Sequence, residues 1–444
     1  MTAGHVFILL CAYLLQIPGS HAQDDTGSLV VLSGSAAATL TAPNLGSDGV
    51  PTGSYLSYTT TSTDANGTLA DIATTIANAN ATAPTASATT SSASLIQGTV
   101  VAGSLNATNA TTASNSTASQ TTSAAPTNTQ PCNNHPEFCS RKYSNITFVA
   151  AHNSPFITPN NVGANQGLGI FSQLNDGIRM LQGETHWNST TQTISYCHTT
   201  CDLLDAGTAL EYFSNITDWV RRHPYDVVTL LLVNSDYIGV GNYTSPLINS
   251  GLTQYAYEPS QVPMTLDSWP SLGQMILTGK RVVIFMDYNA NQTEIPYILD
   301  QFSQVWETPF SPTNRSFPCT QQRPPGLDRK AAEDRMYLAN HNLNTEVALL
   351  GTSVLTPTTT LINETNAVSG FGSLGLMANS CVETWSRPPN FLLVDYYNNG
   401  SFQGSVFEVA AQHNNVTYNR PCCGKNTTSD LHPRCSADFT IEAE

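Results

Sequence analysis

The chain is short of charge, and of positive charge above all. It has 16 Lys and Arg against 32 Asp and Glu in 444 residues, and none of the Lys or Arg comes before Arg141. Neutralising a phosphate backbone takes a basic stripe, so a net charge of -16 without one excludes a nucleic-acid binder. Long apolar runs are scarce as well. After the first two dozen residues no segment reaches the roughly eighteen apolar residues of a membrane span, and the C-terminal TIEAE is polar. The sequence therefore predicts neither a transmembrane helix nor a lipid-anchor tail. Paired CxxC motifs are missing and the cysteine spacings are irregular, which argues against a metal-cluster protein. From about Gln23 to Gln130 there is no cysteine, lysine or arginine and no aromatic-rich periodic stretch. A segment such as "LNATNATTASNSTASQTTSAAPTNT" cannot bury a core.

What is present points outward from the cell. An apolar run from Val6 to Leu15, then Pro18 and the small-residue end Ser20-His21-Ala22, has the layout of a secretory signal peptide over residues 1–22. Residues 23–130 then read as a disordered Ser/Thr/Ala-rich stalk carrying O-linked sugar, with room for a strand or two near "GSLVVLSGSAAATLTAP". Past the signal nine cysteines remain: Cys132, Cys139, Cys197, Cys201, Cys319, Cys381, Cys422, Cys423 and Cys435. They fit disulfides formed in an oxidising compartment, with one thiol left over. Sequence proximity pairs Cys132 with Cys139 and Cys197 with Cys201. Cys319 then takes Cys381, and Cys435 takes Cys422 or Cys423. Fifteen Asn-x-Ser/Thr sequons, among them Asn106, Asn145, Asn215 and Asn415, add N-linked glycans. The expectation is a secreted, extracellular monomer, free or held at the cell wall.

From residue 131 to 444 the texture changes to β-branched runs alternating with amphipathic stretches. Strands are predicted over 146–151, 178–182, 193–197, 227–233, 281–286, 336–339 and 391–395, and helices over 168–175, 206–222, 297–306, 373–385 and 402–413. Strand and helix taking turns over some 300 residues, with almost continuously apolar strands, argue an α/β fold with a parallel sheet. Seven or eight such units fit a distorted TIM-type β/α barrel. In such barrels chemistry sits at the C-terminal strand ends. Reading those ends collects His152 and Asn153, then Gln182, Glu184 and His186, then His198, Asn234, Asp236, Asp287, Asn340, His341 and Asp395. Arg179 has the opposite parity to Gln182 and Glu184, so it is expected in the helix layer as a structural salt bridge.

"ITFVAAHNSPF", "QLNDGIRMLQGETHW", "ISYCHTTCDLLDAG" and "HPYDVVTLLLVNSD" together resemble the X-region barrel of phosphatidylinositol-specific phospholipase C. Within that superfamily the chain is most similar to the secreted fungal phospholipase C-like phosphodiesterases, over about residues 143–415. The resemblance implies a phosphoric diester hydrolase acting on a phospholipid or glycosylphosphatidylinositol head group at a membrane surface. It implies His152 as base and His198 as acid, and Asp395 is placed to hold the His152 tautomer. Metal-independent relatives carry Asp-x-Arg on the second strand, and calcium-dependent ones carry Glu-x-Asp there plus an Asn after the first His. Here the same places read Gln182-Gly183-Glu184 and Asn153. A Ca²⁺ or Mg²⁺ site from Asn153, Glu184 and Asn234 is therefore admissible by ligand type, with Gln182 and Asp236 lining the pocket. His186 is read as a site member or a loop residue, and Asp287 and His341 as strand-end residues bonded to nearby backbone. The departures keep two other classes open. One is a barrel without activity that serves as a glycosylated surface-binding protein, and the other is a metal-dependent lipase on a related barrel.

Overall fold

The computed structural model describes residues 53, 55–58, 61–62, 74–77, 130–349, 352–400, 404–419 and 423. Eight strands run parallel in one curled sheet. They are β1 (Phe148–Ala151), β2 (Met180–Asn188), β3 (Val228–Asn234), β4 (Val282–Met286), β5 (Leu299–Asp300), β6 (Val305–Glu307), β7 (Met336–Asn340) and β8 (Phe391–Val394). Their order is β5-β4-β3-β2-β1-β8-β7-β6, so the chain passes round the sheet in sequence and β1 pairs with both β2 and β8. This is the expected TIM-type barrel, and its distortion is a seam: within the sheet β5 pairs only with β4 and β6 only with β7, while Glu307 of β6 is also bridged to Arg323. The outer layer holds α1 (Ile170–Asp176), α2 (Ala209–Arg222), α3 (Thr244–Asn249), α4 (Leu272–Thr278), α5 (Gln301–Gln304), α6 (Arg329–Glu333), α7 (Ile362–Thr365), α8 (Leu374–Trp385) and α9 (Val406–His413). No described helix is long and apolar enough to cross a membrane.

Strand parity sorts the side chains into two cores. Phe148, Ala150, Met180, Leu231, Phe285, Leu338, Phe391 and Leu393 form one, with the Phe148 and Phe391 rings stacked 5.8 Å apart. Val149, Ala151, Leu181, Leu230, Leu232, Ile284, Leu392 and Val394 join the other, against the helices. Each fully buried Val, Leu, Ile or Phe contributes about 1.5–3 kcal/mol. Burial on both faces is why these strands read as unbroken apolar runs. α2 supplies its share of the outer core through Tyr212, Phe213, Ile216, Trp219 and Val220, and starts where the Thr208 hydroxyl accepts the Glu211 N–H. Arg179 is buried on the helix side, 2.7 Å from Asp226 Oδ1 and stacked over Trp219, as its parity requires.

Two expected elements differ. Residues 193–197 form a strand that is no stave of the barrel, since Thr193–Cys197 pairs antiparallel to the outer end of β2, Thr185 opposite Tyr196. Gly183 makes room for this hairpin, because a Cβ there would lie 2.7 Å from the Tyr196 ring. The stretch 297–306 has helical apolar spacing but folds as β5, one turn of α5, and β6. Asp300 caps that turn by accepting the Ser303 N–H, and Val305 and Trp306 then extend along β7. The disulfides Cys132–Cys139, Cys197–Cys201 and Cys319–Cys381 form as expected. The fourth pairing falls on Cys422 and Cys435, outside the described residues, as do the signal segment and most of the stalk. Within the Ser/Thr-rich region, Tyr55–Tyr58 pairs with Thr74–Ala77, and Thr61–Ser62 pairs with Gln261–Val262 of the barrel domain. Tyr55 packs edge-on against Phe302 of α5 at 4.8 Å and against Tyr288 at 5.6 Å, beside the seam.

Candidate active site

The site grows from the last rung between β1 and β8. The His152 N–H bonds Val394 O at 3.0 Å, which fixes the residue at the mouth. Asp395 follows Val394 and inherits the parity of Phe391 and Leu393. His152 Nδ1 lies 2.7 Å from Asp395 Oδ1. An ionised carboxylate only accepts, so Nδ1 carries the proton and Nε2 presents its lone pair. Asn165, in the loop before α1, donates to the same Asp395 oxygen at 2.9 Å. Gln166 Nε2 donates to both His152 O and Val394 O, at 2.8 and 2.9 Å, and so locks the two strand ends together. Asn342, just past β7, holds Nδ2 3.4 Å from His152 Nε2. Neither Asn165 nor Asn342 was picked out from sequence. The strand-end rule could have found Asn342, two residues beyond β7, whereas Asn165 lies in a long loop without periodicity.

Asn153 turns the chain through a left-handed backbone, φ 47°, a conformation Asn tolerates better than most residues. Its N–H donates to Gln182 Oε1 at 2.6 Å, and the Ser154 N–H donates to Gln182 O. Gln182 thus clamps the turn that carries His152. Four acceptor oxygens here are buried without a hydrogen-bond partner: Asn153 Oδ1, Asn165 Oδ1, Asn342 Oδ1 and Asp395 Oδ2.

His198 reaches the mouth by the hairpin rather than at the end of a stave. The strand Thr193–Cys197 runs back along β2, and the Cys197–Cys201 disulfide ties the loop that follows. The His198 ring stands edge-on to Phe156 at 5.2 Å. Burial pushes its pKa down and Glu184 pulls it back. Glu184 fastens this loop, since Oε2 accepts the Thr199 N–H at 2.8 Å and Oε1 accepts the Ser235 hydroxyl at 2.9 Å. His186 lies beside it, 3.5 Å from Glu184 and 3.0 Å from Asp236. Burial alone would lower the His186 pKa, but the two carboxylates raise it to about 9. Burial likewise works to raise the Glu184 pKa, and His186, His198 and the Thr199 N–H outweigh it and hold the pKa low. Asp236 also accepts the Trp187 N–H at 2.6 Å, so its part is to brace the hairpin.

The cation set read from sequence does not fit these surroundings. Asn234 is turned into a loop, where its Oδ1 accepts the Ile238 N–H and its Nδ2 donates to Ile238 O and Tyr288 O. Both Glu184 oxygens are engaged, which leaves Asn153 Oδ1 as the one unpartnered oxygen of the three. Among the described residues no group of three or more His, Cys, Asp and Glu has metal-ligating geometry. Asp287 and His341 are strand-end residues, as expected. Asp287 accepts the Asn234 N–H, and His341 is buried between Thr365 O, at 2.9 Å, and Met377 Sδ.

The family model PI-PLC X 1 matches residues 138–410. An uncharacterized secreted protein of Arthroderma benhamiae is 58% identical over 294 residues, 66% of each chain. A PI-PLC X domain-containing protein of the same organism is 39% identical over 60% of this chain and 85% of its own length. One from Arabidopsis thaliana is 25% identical over 61% of this chain and 59% of its own. The solved phosphatidylinositol-specific phospholipase C from Listeria monocytogenes overlaps with a TM-score of 0.39 at 12% identity, over 64% of this chain and 96% of that one. With a family model matched over more than half of its length, the chain belongs to the PI-PLC X-domain family.

Proposed function

We propose that the mouth cleaves an inositol-type phosphodiester, of a phospholipid or glycosylphosphatidylinositol head group, by paired acid-base catalysis. The observation that supports this reading is the 2.7 Å contact of His152 Nδ1 with Asp395 Oδ1, which orients the ring so that Nε2 can serve as the base. Nε2 takes the proton of the hydroxyl neighbouring the phosphate. The contact of Asn342 to that nitrogen is long enough for the hydroxyl to displace it. His198 is assigned the proton donation to the leaving oxygen, with Glu184 favouring its protonated form against the burial that disfavours it. Asn153, Asn165 and Asn342 each keep a side-chain oxygen without a partner beside His152 and Asp395, and a buried unpaired acceptor costs about 1–3 kcal/mol.

Charge on the phosphoryl oxygens must be met by amide and backbone donors. None of the hydrogen bonds or ion pairs at these side chains involves a lysine or arginine. That same feature favours the second reading, a barrel that binds a head group without cleaving it.

The test is the rate on phosphatidylinositol for His152→Ala, His198→Ala, Asp395→Asn and the double histidine variant, with thermal midpoints in parallel. Each single change is expected to cost about 10²-fold to 10⁴-fold. The double variant should lose far less than the product, because the two groups act as a unit. A wild-type protein that binds phosphatidylinositol and never cleaves it would replace the enzyme by the binding barrel.

A further inference from the structure

The asparagines divide by exposure. Ten are buried, and none of the ten begins an Asn-x-Ser/Thr sequon. Nine sequon asparagines lie among the described residues and none is buried: seven are exposed, and Asn215 and Asn399 are half-exposed. Six of the nine follow the C-terminal strand ends, where the catalytic mouth is. Asn188 ends β2, Asn242 lies before α3, Asn291 between β4 and β5, Asn314 between β6 and α6, Asn363 in α7, and Asn399 between β8 and α9. Six of the eight strands thus each contribute one. At Asn188, Asn291 and Asn314 the side-chain oxygen accepts the N–H two residues on, at 3.0, 3.1 and 2.9 Å. Those bonds engage the oxygen and not the nitrogen that would carry sugar.

We propose that N-linked glycans on these six asparagines form a collar round the mouth, so that the site takes phosphodiester head groups presented in water and is held off a packed bilayer. The proposal rests on the phosphodiesterase reading above and narrows its substrate. Attachment is ordinary group transfer in an exported chain: the carboxamide nitrogen displaces the diphosphate at the anomeric carbon of a lipid-linked oligosaccharide. A C–N bond forms, the C–O bond to the diphosphate breaks, and the amide gives up one proton. Bulky hydrophilic chains between the rim and a flat surface hold the two apart. Electrostatics act in the same direction, because a chain of net charge -16 is repelled by an anionic phosphoinositide surface.

The experiment uses the full chain secreted from a eukaryotic host. Glycopeptide mass spectrometry reads the occupancy of each sequon. Rates are then compared on short-chain phosphatidylinositol below its micelle concentration and on phosphatidylinositol in large vesicles, before and after native trimming with an endoglycosidase. We expect all six sites occupied, an unchanged rate on the dispersed substrate, and a vesicle rate that rises severalfold on trimming. The combined Asn188→Gln, Asn291→Gln, Asn314→Gln variant should reproduce part of that rise without any enzyme treatment. Unoccupied collar sites, or a vesicle rate indifferent to both trimming and the variant, would overturn the collar. Cleavage of neither substrate in any form would instead overturn the phosphodiesterase reading, while the glycopeptides still decide the collar.

Discussion

Glu184 spends both of its oxygens on positioning, one on the backbone beside His198 and one on Ser235 of the loop after β3. Glu184→Gln keeps an acceptor but offers the Thr199 N–H a weaker partner, so kcat should fall while KM changes little. The same rate with calcium and with chelator should accompany it in the wild type. A chelator that abolishes wild-type activity would return Glu184 to the metal ligands. His341 makes a separate point about pH. Burial lowers its pKa to about 4 from an ordinary value near 6.5, so the folded state resists the proton that the unfolded chain takes up. Its contribution to stability is therefore present above about pH 6.5 and is lost as pH falls toward 4. The buried Asp287 and Asp300 carboxyls, raised to about 6 and about 7, run the other way over much of that window. The measurement is accordingly a difference: the stability of the wild type relative to His341→Gln should fall as pH drops from about 6.5 toward 4. Parallel curves would show that His341 does not titrate with folding.

At the scale of elements, two disulfides of very different span do different things. Cys319–Cys381 closes a separation of 62 residues, and Cys197–Cys201 closes one of only 4. Chain entropy alone gives about 4 kcal/mol for the long loop and about 2 kcal/mol for the short one. Replacing both cysteines of the long bridge by Ala should lower the denaturant midpoint strongly with modest change in kcat. Replacing both of the short bridge should do the reverse, because it frees the loop bearing His198. Equal effects on the two readouts would refute that division. The hairpin that carries His198 also shows what the sequence could and could not disclose. Its strand, 193–197, was legible from alternation, and the barrel from two-sided burial of the staves. Its direction was not legible, because pairing antiparallel to β2 depends on Gly183 lacking a Cβ, a contact between distant residues. His152, Asp395, Gln182 and Glu184 were readable since strand parity and strand ends are local properties. Asn165 and Asn342 became visible only once long loops had been placed. Asn234 closes a turn, and an amide at a strand end reads the same in sequence whether it does that or faces the mouth.

On the scale of the whole molecule, the barrel domain is not fully separate from the Ser/Thr-rich region before it. Tyr55 is 7% exposed, its hydroxyl lies 3.3 Å from the Tyr288 hydroxyl, and Gly53 passes so close that a Cβ would lie 2.1 Å from the Tyr288 ring. A chain that starts at Gln130 keeps every residue of the proposed site and should keep its rate. It should also lose about 2 kcal/mol of stability with the Tyr55 contact, the value of one buried side chain of that size. Tyr55→Ala in the full chain should reproduce the loss. A truncation as stable as the full chain would show that the contact adds nothing.

The seam between β5 and β6 has a kinetic consequence. Along a closed barrel no strand can leave without breaking two ladders, but here β5 is held by one, with a register of only two residue pairs, and β6 by its ladder to β7 and the short bridge from Glu307 to Arg323. Amide protons of β5 should therefore exchange with solvent by a low-energy opening that leaves β2 and β3 protected. A protease that waits for such openings would make its first cut around α5 rather than in the loops at the mouth, and the fragments would date the opening of the barrel from one fixed side.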